Sequence, residues 1–512
     1  MQQRRELIIS GRVQGVGFRP FVYQLASRLQ LNGWVRNTRG NVQLQIEGDN
    51  RNIATFIHQL QNAPPLTACP VISQDSMLDI IHEQGFSIRP SQPGSGTDIH
   101  VPPDYFLCPD CLQELHDPAN RRHAYPFITC SVCGPRYTLI RHMPYDRSNT
   151  SMDGFPLCAA CEAEYADPSQ RRFHAEPIAC PDCGPQLSFE NAQGRQEHSD
   201  VIGPILDLLH QGELVLIKGV GGYHLCCDAT NAQAVARLRQ RKQRPHKPLA
   251  VMFPARGVDE LDDLRREMDV EETAVELLRS PARPIVLLRK RADCRLPEAL
   301  APNMDELGVM LPYSPLHHLL LSRFGKPLVA TSANLSGEPV LTDADEVNRR
   351  LAAVTPYRLH HNRPIVRPAD DPVVRIIERQ PRPLRLGRGT APLELPLSPP
   401  LPQPLLACGG HMKNTIALGW ENRLVISPHI GDLDAPRSRD TYAQVIADLQ
   451  QLYGVQARGL VCDQHPGYFS HRWAQQQALP VYPVWHHHAH ACLLYTSPSP
   501  RDRTRSRMPS SA

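Results

Sequence analysis

Cys108-Pro-Asp-Cys111, eighteen residues and Cys130-Ser-Val-Cys133 open the stretch that decides the architecture of this chain. The same spacing returns fifty residues later as Cys158-Ala-Ala-Cys161 and Cys180-Pro-Asp-Cys183. Other short pieces recur at the same distance: Asp117-Pro118 as Asp167-Pro168, Arg121-Arg122 as Arg171-Arg172, and Cys133-Gly134-Pro135 as Cys183-Gly184-Pro185. Self-similarity at a fixed period indicates an internal duplication.

Each copy supplies four cysteines with the spacing of a metal site. Four soft thiolates suit tetrahedral Zn²⁺ and leave no open position for water, so we expect two structural zinc sites. Four disulfides in a secreted protein are the alternative, which seven further cysteines and the lack of a signal peptide disfavour. The sequence leaves open whether a zinc ion takes its ligands from one copy or from both. Polar groups inside the module, such as Arg136 and His174, are expected to serve its surface or packing. The predicted ligands are Cys108, Cys111, Cys130, Cys133, Cys158, Cys161, Cys180 and Cys183.

The whole chain has 512 residues, which predicts three or four domains. Its net charge of +3 gives no argument for nucleic acid, which we do not expect as a partner. The N-terminus lacks the apolar region of a secretory signal, and no apolar run reaches the ~18 residues of a membrane span. We therefore expect a soluble cytoplasmic protein with no membrane association.

Residues 1–90 begin with an anion-binding pattern. A predicted strand, Leu7–Val13, enters a glycine-containing loop, Gln14–Pro20, which is followed by a helical pattern from Phe21. This layout points backbone N–H groups at an anion, and Arg19 at the rim is suited to grip phosphate oxygens. A glycine loop alone can equally be a tight turn.

The loop together with the later Asn37 resembles the signature of acylphosphatases, Val13-Gln-Gly-Val-Gly-Phe-Arg19. The resemblance implies a ferredoxin-type α+β sandwich that cleaves a carboxylic–phosphoric mixed anhydride. Arg19 and the loop would bind the phosphate, and Asn37 would orient the attacking water. The implied phosphate-binding residues of the loop are Gln14, Gly15, Val16, Gly17 and Phe18.

Residues 200–387 combine buried-type strands with a run of basic residues between Arg237 and Lys247. A solvated helix face or a nucleic-acid patch are the alternatives, although no aromatic residues are interleaved with the charges. A later strand ends in Thr331-Ser332-Ala333-Asn334. This combination resembles the YrdC family, an α/β fold that binds ATP and makes carbamoyl-type adenylates. The resemblance implies that Lys242, Arg244 and Lys247 hold triphosphate, while Ser332 and Asn334 contact the nucleotide or acyl group.

The last part of the chain follows a Pro-rich stretch, 388–404, that predicts a semi-rigid linker. Residues 405–492 open with a glycine turn that resembles the first phosphate loop of the actin-like ATPase fold. His486 and His490 lie four residues apart, so on a helix they share one face and can bind a further metal. A surface histidine cluster is the alternative. Residues 493–512 are rich in Arg, Ser and Pro, and we expect a non-native tail.

The order of these parts resembles the HypF family, the carbamoyltransferases of hydrogenase maturation. The expected fold is a multidomain α+β protein, C-terminally truncated relative to the longer family. Its predicted segments are an acylphosphatase-like domain (1–90), a linker (91–106), a duplicated zinc-finger module (107–197), a YrdC-like domain (200–387), the Pro-rich linker (388–404), a partial actin-like carbamoyltransferase domain (405–492) and the tail (493–512).

The resemblance implies a relay for the carbamoyl group. Carbamoyl phosphate would be hydrolysed at Arg19 and Asn37, and ATP with Mg²⁺ would convert the carbamate to carbamoyl-adenylate. The group would then pass to the C-terminal cysteine of a partner protein, for the cyanide ligands of [NiFe]-hydrogenase. We expect hydrolysis but not transfer from this chain. A threonylcarbamoyl-adenylate synthase for tRNA and a non-catalytic zinc scaffold are the alternatives.

Overall fold

The computed structural model describes residues 2–65, 67–92, 98–196, 198–334 and 337–496. Residues 93–97 of the expected linker and the predicted tail from residue 497 onward lie outside the described residues. None of the described helices is long and apolar enough to cross a membrane.

The first unit is a sheet covered by two helices. Its elements are β1 (Gln2–Arg12), α1 (Phe18–Arg28), β2 (Asn32–Asn37), β3 (Val42–Asp49), α2 (Asn50–Asn62), β4 (Cys69–Leu78) and β5 (Phe86–Ile88). The strand order is β4-β1-β3-β2-β5, with β1 antiparallel to both β3 and β4. Alternate residues such as Leu7, Ile9 and Leu44 are fully buried, because period-2 apolar positions share the face that the helices cover. The expected ferredoxin-type sandwich is confirmed.

The duplicated module consists of two short fingers, each with a helix that starts directly after its first cysteine. These helices are α3 (Pro109–His116) and α4 (Ala159–Ala166), and 3-10 turns at Arg147–Asn149 and Ser151–Gly154 lie between the fingers. Each cysteine cluster draws all four sulfur atoms from one copy. Neighbouring sulfurs lie 3.6–3.7 Å apart. Tetrahedral zinc with bonds of about 2.3 Å separates its sulfurs by about 3.8 Å, so both clusters have the dimensions of a Zn²⁺ site.

The two fingers exchange arginines. Arg122 of the first finger donates to Glu164 at 2.7 Å and to the Cys161 sulfur at 3.4 Å, both in the second finger. Arg172 of the second finger contacts Glu114 of the first and lies 3.9 Å from the Cys111 sulfur. Each cluster of thiolates is therefore partly neutralised by guanidinium groups of the other copy.

The third unit is organised on a long mixed sheet. Its helices are α5 (Gly203–His210), α6 (Ala232–Arg241), α7 (Asp262–Glu267), α8 (Glu272–Arg279), α9 (Pro315–Phe324) and α10 (Ala344–Arg350), with a 3-10 turn at Glu298–Leu300. Its strands are β6 (Leu187–Asn191), β7 (Gly194–Gln196), β8 (Val215–Lys218), β9 (Tyr223–Asp228), β10 (Val251–Met252), β11 (Ile285–Arg289), β12 (Glu306–Met310), β13 (Leu328–Ser332), β14 (Arg358–His361), β15 (Val373–Ile377) and β16 (Gln380–Arg385). The order is β16-β15-β11-β12-β10-β13-β9-β8-β14-β6-β7. Since β6 and β7 precede residue 200, the sheet begins within the segment predicted as finger module.

The fourth unit comprises β17 (Leu393–Ala407), β18 (Ala417–Ile426), α11 (Pro436–Tyr453), β19 (Gly459–Asp463), α12 (Phe469–Gln475), β20 (Val481–Val484) and α13 (His486–Thr496). The sheet order is β18-β17-β19-β20.

The Pro-rich linker expected at 388–404 differs from the structure, because residues from Leu393 onward belong to β17. The strand tolerates its prolines by breaking register with β18 between Pro396 and Leu401 and again before Leu405, where proline has no N–H to donate. The linker expected at 91–106 also differs in its second half. Ile99 and Val101 are buried in the core of the fourth unit.

The fingers lie at the centre of the molecule. Phe127 and Leu139 share a core with the third unit, whereas Tyr137 and Ile140 share one with the fourth. Val132 touches the first unit at Gly17, where an added Cβ would lie 2.7 Å from its methyl carbon. The module therefore fixes the position of the three other units.

The exchanged arginines predict a measurable contribution to stability. Replacing Arg122, which is 1% exposed, by Met removes the donor to the Ala179 carbonyl and leaves Glu164 with Arg121 as its remaining cation. Losing hydrogen bonds of this kind costs about 1–3 kcal/mol, so we expect a lower midpoint of thermal unfolding. The control is Arg141→Met at an exposed position, which should leave the midpoint unchanged. Equal midpoints for the two variants would contradict the stabilising role of the exchange.

Candidate active sites

The loop between β1 and α1 has the geometry of an anion cradle. Gly15 and Gly17 adopt left-handed backbone angles, with φ of 68° and 73°. Gly17 caps α1 without a side chain, so the first N–H groups of the helix remain available to an anion. An added Cβ on Gly15 would lie 2.9 Å from Pro102, which means that only glycine fits against the neighbouring unit.

Arg19 and Asn37, the two predicted catalytic residues, lie side by side. Arg19 is the second residue of α1 and Asn37 the last residue of β2, and both side chains are buried. With its amide oxygen toward the guanidinium, Asn37 accepts hydrogen bonds from Arg19 Nε at 3.1 Å and Nη2 at 3.2 Å. The structure therefore brings together a guanidinium and an amide at the mouth of the loop.

Two carboxylates of the finger module also meet Arg19. Glu176 Oε1 lies 2.7 Å from Nη2, and Asp146 Oδ1 lies 3.3 Å from Nη1. The backbone carbonyl of Tyr145 accepts from Nη2 at 3.3 Å. Burial opposes the charge of Arg19, but Glu176 and Asp146 outweigh it and raise the pKa of the guanidinium. Burial likewise raises the pKa of Glu176, against the opposing charge of Arg19.

The side chains of the remaining predicted loop residues contact the rest of the protein. Val16 and Phe18 are buried in the core of the first unit, so only their backbone can meet a ligand. The Gln14 amide donates to the carbonyls of Thr38 and Asn41 and accepts from Tyr145 N, which fixes the loop to the finger module.

Arg136 and His174, expected to serve packing or the surface, help to enclose the loop. Arg136 donates to the Gly15 carbonyl at 2.6 Å, and both residues line the space in front of Arg19. That cavity measures about 20 Å³, which is room for about one water. A phosphate group therefore requires the Arg19 guanidinium and the side chains around it to rearrange.

The five residues predicted to bind nucleotide surround one cavity of about 300 Å³. Lys242 Nζ lies 3.1 Å from Asn334 Oδ1, and the Ser332 hydroxyl donates to the same oxygen at 3.1 Å. Arg244 donates to Thr331 Oγ1 at 3.0 Å, and Lys247 lines the same cavity. The end of α6 and the end of β13 therefore meet at this point.

Electrostatics prepare this cavity for an anion. Burial, with the neighbouring charge of Arg244, lowers the pKa of Lys242 to about 7. Burial also lowers the pKa of Arg244 to about 10 and that of Lys247. Cations whose charged forms are disfavoured by burial favour a polyanionic ligand, which stabilises those charged forms.

Residues that the sequence did not single out complete the cavity. Asp370 and Asp371 of the third unit line it, and so do Lys413, His429 and Asp432 of the fourth. Asp371 accepts from Arg388 at 3.1 Å and lies 2.9 Å from His224 Nε2. Burial alone would raise the pKa of Asp371, but these two neighbours outweigh it and lower the pKa. The fourth unit therefore forms one wall of the third unit's cavity.

The predicted histidine pair lies on one face of α13. The Nε2 atoms of His486 and His490 are 3.1 Å apart, a separation that two imidazoles adopt around one metal with bonds of about 2.1 Å. His486 Nδ1 lies 2.9 Å from Asp463 Oδ2 at the end of β19. A carboxylate in this position fixes the tautomer of a ligating histidine.

Family profiles match segments of all four units of the chain. They are acylphosphatase at residues 5–88, HypF finger at 107–140 and 157–190, the Sua5/YciO/YrdC family described as telomere recombination at 207–387, and HypF Kae1-like domain at 400–495. A shorter relative, the acylphosphatase of Bacillus pumilus, is 37% identical over 83 residues, which are 92% of its length and 16% of this chain.

Longer relatives match nearly the whole chain. Carbamoyltransferase HypF of Synechocystis sp. is 48% identical over 484 residues, covering 94% of this chain and 62% of the relative. Its counterpart in Rhodobacter capsulatus is 44% identical and covers 95% and 65%. The crystal structure of full-length HypF in the phosphate- and nucleotide-bound form superposes with a TM-score of 0.92 at 40% identity, covering 96% of this chain and 64% of that one.

These matches run through the acylphosphatase-like, finger, YrdC-like and Kae1-like units in one order. The chain spans less than two thirds of the length of the longer relatives. Over that shared part, the chain belongs to the HypF carbamoyltransferase family.

Proposed function

We propose that this chain carries out the early steps of carbamoyl transfer in [NiFe]-hydrogenase maturation. The observation that carries the proposal is the pairing of Arg19 with Asn37 beside a glycine loop, in a chain that also holds a basic cavity between its third and fourth units. The match across all four units favours this function over a threonylcarbamoyl-adenylate synthase or a non-catalytic scaffold.

Hydrolysis of carbamoyl phosphate takes place at the loop. The N–H groups of residues 15–19 and the Arg19 guanidinium bind the phosphate and stabilise the charge that develops on it. Asn37 holds a water that attacks phosphorus, the bond from phosphorus to the acyl oxygen breaks, and carbamate leaves with the electron pair. The water's proton passes to phosphate or solvent.

Adenylate formation takes place in the second cavity. Lys242, Arg244 and Lys247 hold the triphosphate of ATP, and Ser332 and Asn334 orient the nucleotide or the carbamate. A carbamate oxygen bonds to the α-phosphorus, and pyrophosphate leaves with its charge neutralised by the same cations. Asp370 and Asp432 line the cavity and are carboxylates suited to hold Mg²⁺.

The same proposal includes the bound metals and the partner protein. Each finger binds one structural Zn²⁺, and His486 with His490 bind a further metal. The acceptor is the C-terminal cysteine thiol of a hydrogenase maturation protein. Reduced thiolates in the two clusters require a reducing compartment, so we place the activity in the cytoplasm.

Arg19→Ala tests the hydrolytic site. Loss of the only side-chain cation proposed to grip the phosphate should reduce phosphate release from carbamoyl phosphate by about 100-fold or more. The matched control is Arg28→Ala on the exposed face of the same helix, which should retain the full rate. Normal phosphate release by Arg19→Ala would refute the assignment.

Zinc content tests the assignment of ligands to each finger. We expect two zinc ions per chain by elemental analysis, and one in either Cys111→Ser or Cys161→Ser, because each cluster draws on one copy. Cys69→Ser, at an exposed cysteine outside both clusters, should retain both ions. Loss of both ions from either cluster variant at saturating zinc would argue against separate sites.

ATP binding should be accompanied by proton uptake. Lys242 has a pKa of about 7 and is mostly neutral at pH 8, whereas bound phosphate raises the pKa and restores the charge. Calorimetry in buffers of different ionisation enthalpy should therefore show uptake of up to about one proton, and affinity should fall as pH rises above about 7. Lys242→Met should abolish the uptake, and Lys326→Met at a partly exposed site should not. Equal proton uptake by wild type and Lys242→Met would exclude this lysine as the source.

A further inference from the structure

The phosphate loop of this chain is enclosed by the finger module. Pro102 and Arg136 pack on Gly15, and Val132 packs on Gly17. The acylphosphatase of Bacillus pumilus is matched over 92% of its length by 83 residues of the first unit, so it has no segment equivalent to the fingers. The wall opposite the loop is therefore an addition of the longer chain.

Glu176 is the charged residue of this wall that reaches Arg19 most closely. Its side chain is 2% exposed. Oε2 accepts from the Tyr165 hydroxyl at 3.0 Å and from Arg147 N at 3.0 Å, which leaves Oε1 directed at the loop. Two anchors on one oxygen hold the carboxylate in a fixed position.

Glu176 also breaks the internal duplication. Fifty residues earlier, at the matching position of the first finger, the chain has Pro126. The paired arginines and cysteines of the two copies are explained by the metal clusters and their exchange of charge. A carboxylate at position 176 serves neither cluster, so its position requires another reason.

The wall presents hydrogen-bond acceptors to the space in front of the phosphate loop. Glu176 Oε1 and the Tyr145 carbonyl both accept from Arg19 in the structure. When a phosphate group occupies the loop, the guanidinium turns its N–H groups toward phosphate oxygens. Glu176 Oε1 and the Tyr145 carbonyl then lose the donor that Arg19 supplied, and a buried acceptor left unpaired is costly.

A ligand that brings its own N–H donors removes this cost. The carbamoyl group carries an NH₂ with two donors, whereas an acetyl group presents a methyl in the same place. Sites built to hydrogen-bond a polar group reject analogues that lack it, because the buried partner is left unpaired.

We propose that Glu176, with the Tyr145 carbonyl, is the acyl-selecting wall of the phosphate-loop site and accepts an N–H from the carbamoyl group. The fingers thereby act in substrate specificity as well as in scaffolding. This inference rests on the proposed hydrolysis of carbamoyl phosphate at the loop.

The test compares acyl phosphates on the full chain with zinc bound. Phosphate release is measured with carbamoyl, acetyl and benzoyl phosphate, and the quantity of interest is the ratio of kcat/KM for carbamoyl over acetyl phosphate. We expect wild type to prefer carbamoyl phosphate by about 10-fold or more. Glu176→Ala should lower kcat/KM for carbamoyl phosphate by about 10- to 100-fold and leave acetyl phosphate within about 3-fold, so the preference disappears.

Two further variants distinguish a loss of substrate selectivity from a structural defect. Glu176→Gln keeps an oxygen acceptor and should retain part of the preference, whereas Glu162→Gln on the exposed face of α4 should retain all of it. Zinc content of each variant reports that the fingers are intact. An equal loss for all three substrates in Glu176→Ala, or a wild type without preference, would overturn the proposal. A wild type that hydrolyses no acyl phosphate would instead refute the proposed function itself.

Discussion

The exchange of arginines between the two fingers is the interaction on which the rest of the structure depends. Four thiolates around Zn²⁺ carry net negative charge, and burying that charge requires compensation. Here Arg122 and Arg172 each cross to the other copy, where they meet a glutamate and approach a cysteine sulfur. The duplication therefore forms a single rigid block, because neither finger has its full complement of cations alone.

That block determines where the reactive groups lie. One face of it closes the phosphate loop through Arg136, Tyr145 and Glu176. Another shares a core with the third unit, and residues that include Tyr137 and Ile140 share one with the fourth. The third and fourth units are thereby held against each other, with the basic cavity between them. In the proposed reaction, enclosure protects carbamate and the carbamoyl-adenylate, because water competes for both.

Local patterns were sufficient to find the residues that lie close together in the chain. The glycine loop with Arg19, the paired cysteines and the basic residues Lys242 to Lys247 each have a spacing that carries its own chemical reason. Asn37 was found through resemblance, since a single asparagine at the end of a strand has no signal of its own. The prolines of β17 predict a linker instead of a strand. The sequence does not show that a strand can accommodate them, because the register breaks that do so depend on the partner strand.

The sequence does not predict the positions of four further residues in the sites, for a different reason. These residues are Glu176, Asp146, His429 and Asp432. Each belongs to one unit and acts in the site of another. Packing between units depends on surfaces that are assembled from distant segments, and no periodicity or motif records it. The sequence carries one signal at position 176, because the two copies differ there and Glu176 corresponds to Pro126.

The central claim is that one chain moves a carbamoyl group from phosphate to nucleotide. The most direct measurement is the exchange of labelled pyrophosphate into ATP by the full chain. The account predicts exchange that depends on carbamoyl phosphate and does not respond to threonine with bicarbonate. Exchange that requires threonine and bicarbonate, or no exchange under any of these conditions, would contradict it.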